Sequence, residues 1–414
     1  MMFERLTSGL TVEVREMRGA PTSVAVVYRA GMRCDPVGMP GLAHLAEHAF
    51  LQSVPEDHAR RRLPRGGLTR WTAHTLTDTV EFSVQCPAAV VGDAVEILAP
   101  FGAGNRITAS VVERQRLVVM EELRMLTARG NRGDIWRFLP AALFDDWSRG
   151  HDGYGTAQAI PSYDHHAVKQ FLEATYVPQR CAVSIVTGET ATVHKALDNS
   201  GILARLGDCA VEPRGDSEPA LRRLDRTDLA LSDPLYDRAE VPLGHALGWV
   251  RSGSMSSKEL GLHIALCGVV HQISVASRDL AASHGYRSVR TQAGFFHPLR
   301  ATPPWVCAIT AQSRAGEAGD PERLWGELRN RIRTADQNIY DRATALARTE
   351  VHLNLADASQ RALLHARHAV LAREPFNDEA FLVMLSPESF AECYKLASQM
   401  PSVPDGLRAL TGVG

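Results

Sequence analysis

The stretch GLAHLAEHAFLQS, residues 41–53, sets two histidines and a glutamate within five positions of an otherwise apolar run. The run reads as a buried helix, and burying His44, Glu47 and His48 together costs several kcal/mol unless a partner satisfies all three. Residues four apart on a helix stand one above the other, so His44 and His48 can aim both imidazoles at one point. Glu47 lies about 100° around from His48, close enough to reach a water at that point without being a ligand. A divalent cation fits this arrangement. Two histidines leave a catalytic zinc one protein ligand short, with the fourth position kept for water.

The rest of the chain bounds where that chemistry sits. Its 414 residues are too many for one ordinary core and predict two large units. With 45% apolar residues, 22% charged residues and a formal net charge of −2, the composition is that of a globular protein. It argues against nucleic-acid and membrane partners. No apolar run approaches the roughly 18–20 residues that span a bilayer, and the start MMFERLTSGLTVEVREM lacks a signal-peptide core. Cys34, Cys86, Cys181, Cys209, Cys267, Cys307 and Cys393 are scattered without a C-x-x-C pair, so free thiols and a cytoplasmic location are expected.

Strands and helices alternate through the first half. TSVAVVYRAG (22–31), TRWTAHT, TVEFSVQC (79–86) and RCAVSIVTG read as strands, and residues 1–16 read as a strand beside a turn at Ser8-Gly9. Helices are expected after Pro87, from about Ser110 to Thr127, after Asp134, and after a cap at Ser162 or Asp164. LGDCAVEPRGDSEPALRRLDR (206–226) is polar and rich in Pro, Gly and Ser, and makes the linker. It separates a zinc-bearing domain, 1–205, from a second domain, 227–414. There the pattern restarts: VVYRAGM (26–32) is echoed by GWVRSGSM (248–255), and TVEFSVQC by WVCAITAQ (305–312). The second domain reads as a diverged copy without H-x-x-E-H. Its tail, PSVPDGLRALTGVG, shows no clear final strand.

The third ligand is expected in VVERQRLVVMEELRML (111–126), where Glu121 and Glu122 point about 100° apart and periodicity does not choose between them. Other histidines offer no rival site. His365 and His368 are three apart with no intervening carboxylate and are expected at a solvated or core-edge position; His165 and His166 are expected to be exposed.

These segments together resemble the family of inverted-motif zinc metallopeptidases that includes pitrilysin, insulin-degrading enzyme and mitochondrial processing peptidase. YRAGMRCDPVGMPGLAHLAEHAFLQS resembles the family's run from a strand ending in Gly into its Gly-Leu-x-His-Leu-x-Glu-His helix. ERQRLVVMEELRM resembles the helix bearing the third ligand, and its register selects Glu122. YGTAQAIPSYDHHAVKQFLEATYVPQRCAVSIVTG (154–188) resembles the closing segment of the catalytic domain. The resemblance implies Zn²⁺ on His44, His48 and Glu122, with Glu47 as general base. SRDLAASHGYRS resembles the segment that carries the family's transition-state Arg and Tyr, which points to Tyr286 and Arg278, the latter one residue out of register.

Two departures stand near the zinc motif. Gln115 replaces a supporting glutamate seven residues before Glu122, and Trp71-Thr72 replaces an Asn-Ala pair beside the site. The implied fold is mixed α/β (α+β): two tandem, structurally similar sheet-plus-helices domains forming one half of a clamshell. A single half implies a homodimer, or a heterodimer with a related zinc-less subunit. The implied function is zinc-dependent endopeptidase action on peptides or small unfolded proteins, leader peptides or presequences among them. The alternative is a non-catalytic structural or binding subunit of the same fold.

Overall fold

The structure is a computed structural model that describes residues 2–53, 70–101, 107–128, 150–209, 228–230, 244–293, 298–313, 319–400 and 407–411. Two compact units divide the chain. The first gathers Met1–Leu123, Gly153–Glu218 and Leu353–Phe376; the second gathers Arg124–Asp152, Pro219–His352 and Asn377–Gly414.

The first half supplies strands β1 (Met2–Arg5), β2 (Thr11–Glu16), β3 (Ser23–Tyr28), β4 (Arg70–Thr75), β5 (Val80–Gln85) and β6 (Cys181–Thr187). Its helices are α1 (Leu42–Ser53), α2 (Val91–Leu98), α3 (Ala109–Ala128), α4 (His165–Thr175), α5 (Thr190–Ser200) and α6 (Ile202–Gly207). The strands order as β1-β2-β6-β3-β5-β4, with β2 and β6 parallel and the other pairs antiparallel. Asp164 rather than Ser162 caps α4, accepting from the Ala167 amide. His165 and His166 are exposed as expected. The helix expected after Asp134 and most of the linker lie outside the described residues.

Beyond the linker come β7 (Asp228–Ala230), β8 (Gly244–Arg251), β9 (Tyr286–Ala293), β10 (Trp305–Ser313) and β11 (Leu407–Thr411). Helices α7 (Ser257–Ala276), α8 (Arg278–Ser283), α9 (Pro321–Arg333), α10 (Gln337–Leu355), α11 (Ala358–Ala372), α12 (Asp378–Val383) and α13 (Phe390–Ser398) accompany them. This sheet orders as β7-β11-β8-β10-β9, again with one parallel pair, β7 and β11, and antiparallel neighbours elsewhere. That repeats β2-β6-β3-β5-β4 strand for strand and direction for direction. The echoed segments fall on equivalent strands, β3 with β8 and β5 with β10, so the internal duplication is real.

The tail needs correction. It does contribute a strand: β11 lies between β7 and β8. Its Leu-Arg-Ala-Leu sequence has little intrinsic strand preference, and pairing on both sides supplies what propensity lacks.

Strand alternation gives the first sheet two faces. Val24, Val26, Tyr28, Phe82 and Val84 join Phe50 of α1, Val95 of α2 and Leu172 of α4 in the larger core. The opposite face is built of small residues. Ala25, Val27, Ala182 and Val186 meet Ala362, Leu363, Ala366 and Val370 of α11, which returns from beyond the linker to complete the first unit.

This return overturns the reading of His365 and His368, which lie on α11 and are fully buried rather than solvated or at a core edge. Charged groups accompany them. The Arg367 guanidinium donates to both carboxylate oxygens of Glu81, at 2.5 and 2.8 Å, and His365 Nδ1 lies 3.6 Å from Glu13 Oε2. Sequence spacing on α11 alone could not reveal that β2 and β5 place Glu13 and Glu81 opposite.

Candidate metal centre

Helix α1 starts where the backbone makes it start. The Asp35 carboxylate accepts from the Gly41 and Ala43 amides at 2.7 Å each, satisfying donors that a helix N-terminus leaves unpaired. Gly41 adopts φ +84°, and a Cβ there would lie 2.8 Å from Gly155 Cα. Only glycine permits both that dihedral and that approach. Below the helix, Phe50 packs on Phe82 and Tyr176 at ring-centroid distances of 4.9 and 5.3 Å, which fixes the rotation of α1 about its axis.

That rotation brings the histidines together. Their Nε2 atoms are 3.2 Å apart, and Glu122 Oε2 of α3 lies 3.5 Å from His44 Nε2 and 3.7 Å from His48 Nε2. Bonds of zinc length arranged tetrahedrally would separate their donors by about 3.3 Å. The three observed separations bracket that value, and the donor set of two imidazoles and a carboxylate suits zinc. Among the described residues this is the one cluster of three metal-ligating side chains. Glu121, which the sequence left as an alternative, is exposed.

The surroundings prepare the donors. Burial, reinforced by His48, lowers the pKa of His44 to about 3, so its imidazole is neutral and its lone pair is available. Gln115, two helical turns before Glu122 on α3, places Oε1 3.4 Å from His48 Nδ1. An Nδ1–H donating there leaves the Nε2 lone pair facing the cluster. The sequence marked Gln115 as a lost carboxylate; the structure gives it an orienting role that needs no charge. Arg116 ties the same stretch of α3 down by donating to the Pro161 and Tyr163 carbonyls at 2.6 and 3.2 Å. Tyr154, which sequence reasoning missed, meets the His44 ring edge-on at 5.6 Å. Its only sequence signal was a place in the closing segment.

Glu47 is buried, and Thr75 Oγ1 of β4 donates to its Oε2 at 2.6 Å. Burial pushes its pKa up to about 7; the Thr75 hydrogen bond opposes that rise and Glu122 adds to it. A carboxyl held this way can both take and return a proton near neutral pH. Along β4, Thr75 shares a strand face with Ala73 and Trp71, and Trp71 is 39% exposed. Thr72 bonds the Ser83 hydroxyl at 2.7 Å. Among the described residues β4 ends the sheet, with one row of its backbone groups facing no strand.

Tyr286 and Arg278 belong to the second unit. Tyr286 opens β9 and is 1% exposed, its ring so close to Gly319 that a Cβ there would lie 2.5 Å from Tyr286 Cζ. Arg278 opens α8, and its side chain lies outside the described residues.

Comparison with known proteins gives a consistent set of likenesses. Residues 12–145 match the sequence profile described as insulinase, peptidase family M16. Subunit 1 of the mitochondrial cytochrome b-c1 complex of Caenorhabditis elegans is 24% identical over 265 residues, 63% of this chain and 54% of that protein. An uncharacterized zinc protease of Mycobacterium tuberculosis is 30% identical over 169 residues, 39% of this chain and 37% of that protein. The chain therefore spans about half or less of the length of these curated relatives. A protease from Helicobacter pylori shares the fold, with TM-score 0.75 at 15% identity over 99% of this chain and 98% of that one.

Proposed function

From the match of residues 12–145 to the insulinase family of peptidases, we propose that this chain is a zinc-dependent endopeptidase acting on peptides or small unfolded proteins. The observation that carries the reading is the convergence of His44, His48 and Glu122 at tetrahedral donor spacing, with Glu47 beside them.

His44, His48 and Glu122 would hold the ion. When bound, zinc polarises a scissile carbonyl and lowers the pKa of a coordinated water towards 7. Glu47 accepts the proton of the attacking water and returns it to the leaving amine, with Thr75 fixing the orientation of its carboxylate. The open edge of β4 supports binding of an extended peptide by strand addition, a mode that relies on main-chain groups and so tolerates Trp71 and Thr72. Leader peptides and presequences fall within this substrate class.

Tyr286 and Arg278 enter the proposal as donors to the developing oxyanion. Because Tyr286 is buried, that role requires its end of β9 to open. Tyr286→Phe should then lower kcat by about 10²-fold with KM little changed. We also propose that the chain works as a dimer, with a second copy or with a related zinc-less subunit. A relative named as a subunit of a larger complex supports that. The same relative favours the competing reading, a scaffold subunit without catalysis, but a scaffold has no need of an intact donor set beside a buried carboxyl.

The test is cleavage of a mixed peptide library followed by mass spectrometry. Cleavage should disappear on chelation, return with Zn²⁺, and be absent from Glu47→Gln protein that still binds zinc. A Glu47→Gln protein as active as its parent removes the mechanism. A protein that binds zinc yet cleaves nothing favours the scaffold.

A further inference from the structure

Helix α7 of the second unit carries a second pair of chemically capable side chains one turn apart, His263 and Cys267, and neither takes part in the proposed peptidase chemistry. Cys267 Sγ lies 3.6 Å from His263 Nε2 and 3.8 Å from Nδ1. Cys307, on β10, shares an inward strand face with Trp305 and Ile309; the Trp305 ring lies 5.2 Å from the His263 ring, which sets this face of β10 against the face of α7 that carries Cys267, and the two thiols interact. All three are deeply buried: His263 is 2% exposed, Cys267 4% and Cys307 0%.

We propose that Cys267 is a peroxide-reactive thiol that closes a reversible disulfide with Cys307.

The two sulfurs are not equivalent. Burial works to raise the pKa of Cys267, but the Cys307 thiol, His263 and the Arg251 charge outweigh it and leave it lowered. Burial and the neighbouring Cys267 instead raise Cys307 far above the ordinary thiol range. One sulfur is therefore set up as a nucleophile and the other as a protonated partner, the division of labour that thiol oxidation followed by disulfide closure requires. Arg251 is held in place by its ion pair with Glu259 and lies over the Trp305 ring at 5.9 Å. Access comes through a cavity of about 340 Å³ between α7 and α10, which Cys267 lines together with Ile264, Gly268, Ala343 and Ala347. A peroxide is small enough to enter it.

The chemistry balances with hydrogen peroxide as oxidant. The Cys267 thiolate attacks one peroxide oxygen. An S–O bond forms, the O–O bond breaks, and the departing hydroxide takes up the proton that Cys267 released. The Cys307 sulfur then attacks the sulfenic acid; an S–S bond forms, the S–O bond breaks, and water leaves with the Cys307 proton. Two thiols are oxidised and one peroxide is reduced to two waters.

Brief peroxide treatment of the intact wild-type chain, thiol blocking, digestion and mass spectrometry test this directly. The expected product is a Cys267–Cys307 linked peptide that reductant reverses, with Cys267 consumed roughly tenfold faster than the partly exposed Cys209. In Cys307→Ser protein, dimedone should trap a sulfenic acid at Cys267; in Cys267→Ser protein, Cys307 should stay reduced. The buried Cys393 is the competing partner, since its own pKa feels Cys267. A Cys267–Cys393 bridge, or consumption of Cys267 no faster than Cys209, overturns the proposal. The wild-type readout does not depend on whether either variant folds.

Discussion

Helices α1 and α7 occupy the same place in two copies of one topology: α1 leads from β3 towards β4, and α7 leads from β8 towards β9. Each carries an i, i+4 pair of ligand-type side chains, His44 with His48 and His263 with Cys267. Their surroundings differ. The side chains of the first pair are 12% and 17% exposed and face a third donor from α3; the residues of the second pair are 2% and 4% exposed and face the core. Helix α7 is long and apolar enough by length and composition to cross a membrane, yet 67% of that apolar window is buried inside the protein, as befits a core helix. Duplication thus preserved the frame while the neighbouring element decided the chemistry. A metal centre arises where α3 brings Glu122 and Gln115, and a thiol pair arises where β10 brings Cys307.

The comparison breaks most sharply at the histidines. His48→Ala should abolish both tight zinc binding and peptide cleavage, whereas His263→Ala should leave bound zinc unchanged; metal analysis of the two purified variants separates the helices. Next in size is the covering of the first sheet by α11. Arg367→Ala takes the guanidinium away from the buried Glu81 carboxylate, and should cost about 3–5 kcal/mol in denaturant unfolding. Smaller again is the support for the site. Gln115→Ala should weaken zinc about 10–100-fold in competition with a chelator while His48 remains a ligand.

The smallest effect is the pH dependence of the first unit. Burial pushes Glu13 up, but His365 and Arg15 outweigh it and hold its carboxyl below 4.5; burial lowers His368 below 6.5. Both groups bind protons less readily folded than unfolded. Their contribution is therefore complete above the unfolded values and is lost as pH falls below about 6.5 for His368 and 4.5 for Glu13. Thermal unfolding between pH 7 and 4 should show a falling midpoint in the parent, with a smaller drop in His368→Gln.

Local signals in the sequence carried far. The His44–His48 spacing, the strands around it and the echo between the halves all stand as read, because each depends on periodicity within a dozen residues or on a repeated segment. The features that escaped depend on distant partners. Helix α11 is separated in sequence from the sheet it covers by β7–β10 and α7–α10, so the burial of His365 and His368 left no local trace. Strand β11 forms from residues with weak strand preference because two neighbours accept it. The choice of Glu122 over Glu121 came from resemblance, since adjacent helical positions carry no periodic distinction. Gln115 was visible only as a departure, and its bond to His48 appears once α1 and α3 are set side by side.

X-ray absorption at the zinc edge of the purified chain tests the central claim most directly. The account predicts a shell of nitrogen and oxygen scatterers at about 2.0–2.1 Å with imidazole outer-shell features, lost in His48→Ala protein. A sulfur shell at about 2.3 Å, or a chain that retains no zinc at all, would contradict it.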